Sequence, residues 1–218
     1  MRRFLLHARV LVDGSWLLPP ALAAGWLLFV SLTGDPRTPA SQWSTLFENV
    51  AEMIIPLTAG LWCAPIPCLD YQAGWAESRL AMDERPWLRL LEKAAVPAAA
   101  LALFSLVLIG VAAAGGAPVA PGRFLLLAGP PALALSGAAV AGSSLARHIA
   151  GGLALGVGWW LADWLTGGVI PQVYLFRLSR PSVTGGNPAV QTICLILLGL
   201  SLWALTLWLA ARRERWLR

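Results

Sequence analysis

The chain has 218 residues, 58% of them hydrophobic and only 12% charged, with a formal net charge of +5 and a mean hydropathy of +0.68. A soluble domain carries about 25% charged residues, so this composition excludes an ordinary water-soluble fold and points to an all-α membrane protein of one domain. The basic residues lie between apolar blocks and at the chain ends, which is topology charge; nucleic-acid binding needs a basic face with a polar surround, and no nucleic-acid partner is expected.

Residues 1–14 alternate Arg2, Arg3, His7, Arg9 and Asp13 with Phe4, Leu5, Leu6, Val10 and Leu11. At helical spacing this sets a basic stripe beside an apolar one, so a helix lying in the membrane interface is expected, the alternative being the frayed start of the first span. Arg9 and Asp13 interrupt the run that a signal peptide would need, and an uncleaved N-terminus is expected.

Residues 15–218 then hold six apolar blocks, at about 16–32, 50–69, 94–114, 124–141, 149–166 and 189–211. Each approaches the roughly 20 residues that cross a bilayer core as a helix. The second block carries Pro56, Pro65 and Pro67, so a kinked helix facing the bundle is predicted there. Counting Lys and Arg places 12 residues on the side of the N-terminus and 4 on the other. By the positive-inside rule both termini are cytoplasmic, and a plasma-membrane location follows as the expectation. Small residues crowd spans three to five, from Ala98 to Gly158, as close packing of membrane helices requires. The outer connection, 167–188, contains an apolar run, Val169 to Phe176; it either dips into the bilayer or caps the external face. Trp159, Trp160 and Trp164 read as interfacial anchors. Cys63, Cys68 and Cys194 read as small buried residues.

Between spans two and three lies the one long charged stretch, LDYQAGWAESRLAMDERPWLRLLEK over 69–93. It holds Asp70, Glu77, Arg79, Asp83, Glu84, Arg85, Arg89, Glu92 and Lys93, flanked on both sides by apolar sequence. Residues 70–93 read as a cytoplasmic loop with its own helix, where Trp75, Leu80 and Met82 supply apolar anchors within a charged rim, the usual design of a protein interface. The chain has no phosphate-cradling GxxxxGK[ST], no HExxH, no GxSxG and no paired acids at a metal spacing, so neither a catalytic residue nor a metal site is expected. Glu52 and Asp163 are the two acids inside apolar blocks, each near the outer end of its predicted helix. A buried intramembrane acid marks either a transport path or a structural pairing, here with Arg177 or Arg180.

The loop residues Asp70, Gly74, Glu77, Pro86 and Lys93 resemble the cytoplasmic loop of ATP-binding-cassette exporter permeases of the type 2 class. The resemblance extends to the whole layout of interfacial helix, six spans, inner loop and long outer connection. It implies that Trp75 to Glu84 is a coupling helix docking on a separate ATPase subunit, with Asp70, Gly74, Trp75, Glu77, Arg79, Asp83, Glu84 and Arg85 as the coupling residues. It further implies a second permease copy or paralogue, membrane lipid as surroundings, ATP and Mg on the partner chain only, and no enzymatic activity here. A hydrophobic or amphipathic substrate (lipid, peptide or drug) is the implied cargo. Two positions depart from the family pattern: SRLAMDER stands where a leucine-rich run is common, and Trp87 follows Pro86 where Ser or Thr is common. The rival expectation is a membrane scaffold or assembly protein recruiting a cytosolic partner through the same loop.

Overall fold

In the computed structural model the described residues are 20–21, 24–25, 40–69, 86–114, 120–168, 170–176 and 187–212; all regular structure among them is helical. Five long helices follow in order: α1 (Ala40–Cys63), α2 (Pro86–Ala114), α3 (Pro121–Ala146), α4 (Ile149–Thr166) and α5 (Pro188–Ala211). A single 3-10 turn, Pro171–Val173, lies between α4 and α5.

Their ends follow local chemistry. α2, α3 and α5 begin at Pro86, Pro121 and Pro188, where the missing amide costs nothing because the first turn has no carbonyl to bond. Asn187 and His148 cap α5 and α4 by accepting the amides of Ala189 and Ala150. α1 keeps Pro56 in its interior and stops at Cys63, just before Pro65 and Pro67 remove two donors in close succession. α3 and α4 form a hairpin through Arg147 and His148, with Arg147 in the left-handed region (φ 54°).

The observed bounds differ from the predicted ones at several places. α1 starts at Ala40, not Val50, and α2 at Pro86, not Ala94, so residues 86–93 of the expected loop are the first turns of a long helix. α3 runs on to Ala146, because Gly142 to Ala146 contains no residue that breaks a helix already supported on both sides. Hydropathy locates the apolar middle of such helices and misses polar turns at their ends. The interfacial helix 1–14 and most of the predicted span 16–32 lie outside the described residues.

The helices run alternately up and down. Glu48 of α1 pairs with Arg123 of α3 at 3.0 Å, and Ser143 of α3 meets Ala64 beyond the far end of α1, so α1 and α3 are parallel. Trp62 of α1 packs on Phe104 of α2 with centroids 6.3 Å apart. Ile66, Leu90 and Ala210 share one buried cluster, so the tail of α1, the start of α2 and the end of α5 meet at the same end of the bundle.

α3 is the central helix: 72% of its most apolar stretch is buried, against 17% for α2 and 28% for α5. Its buried side is built of small residues, including Ala134, Ser136, Gly137, Ala138, Ala139 and Gly142. At Gly137 the α5 backbone lies so near that an added Cβ would stand 2.8 Å from the Gly199 carbonyl oxygen. Trp203 of α5 reaches across to donate to Ser136 Oγ at 3.2 Å.

Outside this core the bundle is apolar. Leu103, Leu106 and Val107 of α2, Leu125 and Leu126 of α3, Leu165 of α4 and Leu197 and Leu200 of α5 are all exposed. An apolar exterior of that extent does not suit water. Among the described residues three helices, α2, α3 and α5, are long and apolar enough to cross a membrane. α1 carries the buried acids Glu48 and Glu52, and α4, only 18 residues long, carries Asp163. The fold is therefore that of an all-helical membrane protein.

Filling the contact at Gly137 tests the role of close packing. Gly137→Val should lower stability in detergent by about 1–3 kcal/mol through overpacking. Gly110→Ala on α2, with nothing within 4 Å of the added carbon, should stay within about 0.5 kcal/mol of the parent in the same unfolding measurement.

Candidate functional site

The eight coupling residues expected from sequence, Asp70, Gly74, Trp75, Glu77, Arg79, Asp83, Glu84 and Arg85, lie outside the described residues. Both flanks of that segment are described. On one side Ala64, Ile66 and Cys68 are buried; on the other Leu90 and Lys93 are buried while Trp87 and Leu91 are exposed. The two flanks are thus packed elements held in one cluster.

The two acids singled out from the sequence both lie inside the bundle. Glu52 is 1% exposed and stands near the middle of α1, not near its end. The expectation placed it at the outer end because the apolar block was drawn from Val50; the helix begins ten residues earlier, at Ala40. At that depth its carboxylate does not reach solvent by extending outward. Asp163 is close to the C-terminal end of α4, as expected. Its Oδ2 accepts the Leu175 amide at 3.0 Å. Arg177 and Arg180, the sequence-based partners, lie outside the described residues.

What Asp163 holds is a buried piece of non-helical chain. Tyr174, Leu175 and Phe176 are all at most 1% exposed, in one cluster with Ala134 and Leu135 of α3 and Leu195 of α5. A non-helical segment among helices has no ladder to satisfy its amides and carbonyls, and each one left bare in apolar surroundings is costly. Side chains of the neighbouring helices bond them instead. Asp163 accepts from Leu175, and Gln191 of α5 donates through Nε2 to the Tyr174 carbonyl. Trp160 and Trp164 stack on each other, and both present edges to Phe176 at 5.5 and 5.7 Å. Trp160 also donates through Nε1 to the Met53 carbonyl of α1 at 3.0 Å. The half-buried Trp160 and Trp164 thus tie α4 to α1 and to the inserted segment. Gly168 makes the turn possible: its φ is +90°, and an added Cβ would meet the Tyr174 ring at 2.5 Å.

Beside this segment a small recess, with room for a water-sized molecule, is lined by Glu52, Pro130, Pro131, Tyr174, Gln191 and Thr192, among others. Glu52 and Asp163 thus border the same inserted tripeptide, one through the recess and one through a hydrogen bond. Gln191 and Glu48 escaped the sequence reading. Glu48 lay just outside the apolar block, and a single Gln in the first turn of a span carries no pattern. Among the described residues no group of three or more His, Cys, Asp or Glu is placed to hold a metal ion.

Fold and site together define a helical membrane protein with a non-helical segment clamped among its helices. No family model matches the chain, and neither a curated protein nor a solved structure does.

Loss of the clamp should be measurable. Asp163→Leu leaves the Leu175 amide bare and should cost about 1–3 kcal/mol in detergent unfolding, whereas Asp163→Asn keeps an acceptor and should cost less than half of that. Amide exchange at Leu175 should quicken in the first variant and stay slow in the second.

Proposed function

We propose that this chain is the membrane-spanning subunit of an ATP-driven exporter that moves a hydrophobic or amphipathic substrate across the plasma membrane. In this reading six helices span the bilayer: residues 16–32 supply the first and α1 to α5 the rest. Both termini and the segment 70–85 face the cytosol. A separate ATPase, carrying ATP and Mg, docks on that segment, and a second copy or paralogue of the chain completes the path. Glu52 and Asp163 border the outer part of that path.

The observation that carries the reading is the way the charged segment is mounted. Its two flanks are buried together at one end of an apolar bundle, Ile66 with Leu90, and continue into antiparallel helices. A force applied to the segment therefore acts on α1 and α2 at once, as rigid-body tilting of packed helices requires. Charged residues concentrated at such a place suit a protein partner more than lipid. The absence of a phosphate-cradling motif from the sequence fits an energy source on another chain.

Purification of the full chain in mild detergent should bring down an ATPase with a phosphate-binding loop; recovery of a stable partner without one favours the scaffold reading instead. Glu77→Arg should lower the ATP turnover of the assembled complex about tenfold, equivalent to roughly 1.4 kcal/mol, while the unfolding midpoint of the bundle stays put. Full turnover in that variant would remove Glu77 from the coupling surface.

A further inference from the structure

We propose that Ser143 is the positioning residue that couples the stem at residues 64–68 to α3 and α4 during ATP turnover; this rests on the exporter reading above. The physical starting point is a carbonyl. Were α1 to continue past Cys63, the Ala64 oxygen would accept the amide of Cys68, four residues on. Pro65 and Pro67 break the helix, and the Cys68 amide turns instead to the Pro65 oxygen at 2.9 Å. The Ala64 oxygen is left without that partner in a place with no solvent, since Ala64 is 0% exposed.

Ser143 fills the gap. Its hydroxyl, also fully buried, donates to the Ala64 oxygen at 2.6 Å from the facing turn of α3. The Cys68 thiol returns a weak bond to the Ser143 carbonyl at 3.8 Å. α4 closes the knot from the third side: a Cβ on Gly152 would fall onto Ser143 Oγ and stand 3.2 Å from the Ala64 Cβ. The Ser143 hydroxyl, with the weaker thiol bond beside it, therefore joins the stem at residues 64–68 to α3, with α4 packed against it so closely that no side chain intervenes. The tail of α1 has no continuous helical ladder across Pro65 and Pro67, so this bond sets its register against α3 beside the apolar packing of Ile66.

The experiment uses the full chain co-purified with its ATPase. In Ser143→Ala the amount of ATPase retained and the KM for ATP should match the parent, because the docking surface on 70–85 is untouched. The kcat of the complex should fall about tenfold, and amide exchange at Ile66, Cys68 and Leu69 should quicken at least tenfold while that in α5 does not change. Ser143→Cys, which keeps a donor on the same carbon, should recover at least half of the lost kcat. An unchanged kcat in Ser143→Ala overturns the proposal, as does a loss of bound ATPase in proportion to kcat, the mark of a damaged docking surface. If the parent chain retains no ATPase, the exporter reading itself falls, and this role of Ser143 with it.

Discussion

The bundle depends on how closely α3 lets other backbones approach. In lipid the surroundings of a helix are as apolar as its partner, so burial of apolar area drives helices together only weakly and contact must come from van der Waals fit. α3 meets this constraint with a surface of Ala, Gly and Ser, against which α1, α4 and α5 all pack. The glycine pair Gly137 and Gly199 brings the α5 backbone in, and Gly142 and Gly151 do the same for α4. Because these contacts are backbone against side chain at van der Waals distance, they do not deform gradually. A helix held this way moves as a body or not at all.

That rigidity gives meaning to the places where the chain is not helical. Among the described residues, two stretches inside the bundle depart from regular helix: the tail of α1 at residues 64–68, which keeps only turn bonds, and the inserted segment at 174–176. Both are handled alike, by a polar side chain from a neighbouring helix that bonds the main chain. Ser143 supplies a donor to Ala64, Gln191 a donor to Tyr174, and Asp163 an acceptor to Leu175. Ser143 and Asp163 lie toward opposite ends of the bundle, so each end has an irregular element pinned by side chains that can change partner without unwinding a helix.

Much of the helical layout was legible in the sequence. Apolar blocks two to six coincide with α1 to α5, because an apolar run of span length has few other ways to satisfy its backbone. The helix ends were not legible: Ala40 to Asn49 and Pro86 to Lys93 are too polar to register as span and yet are helical, supported by their continuation into the bundle. The burial of Asp163 followed from its place in an apolar block, but its partner did not. A backbone amide twelve residues away leaves no mark in composition, whereas Arg177 and Arg180 stood out as charges. Ser143 and Gln191 were invisible for the same reason, since what each satisfies is main chain.

This bears on how polar residues within apolar helices are to be read. The usual inference runs from energetic penalty to purpose: an intramembrane acid is unfavourable, so it serves transport. In this protein the penalty has a nearer cause. Wherever non-helical chain enters an apolar bundle, its amides and carbonyls need partners, and an Asp, Gln or Ser opposite them is more favourable than leaving them bare. Asp163 already accepts a hydrogen bond that follows from this need. Glu52 differs, because it lies at mid-helix on α1, whose backbone there bonds within the helix, and its side chain lines a recess.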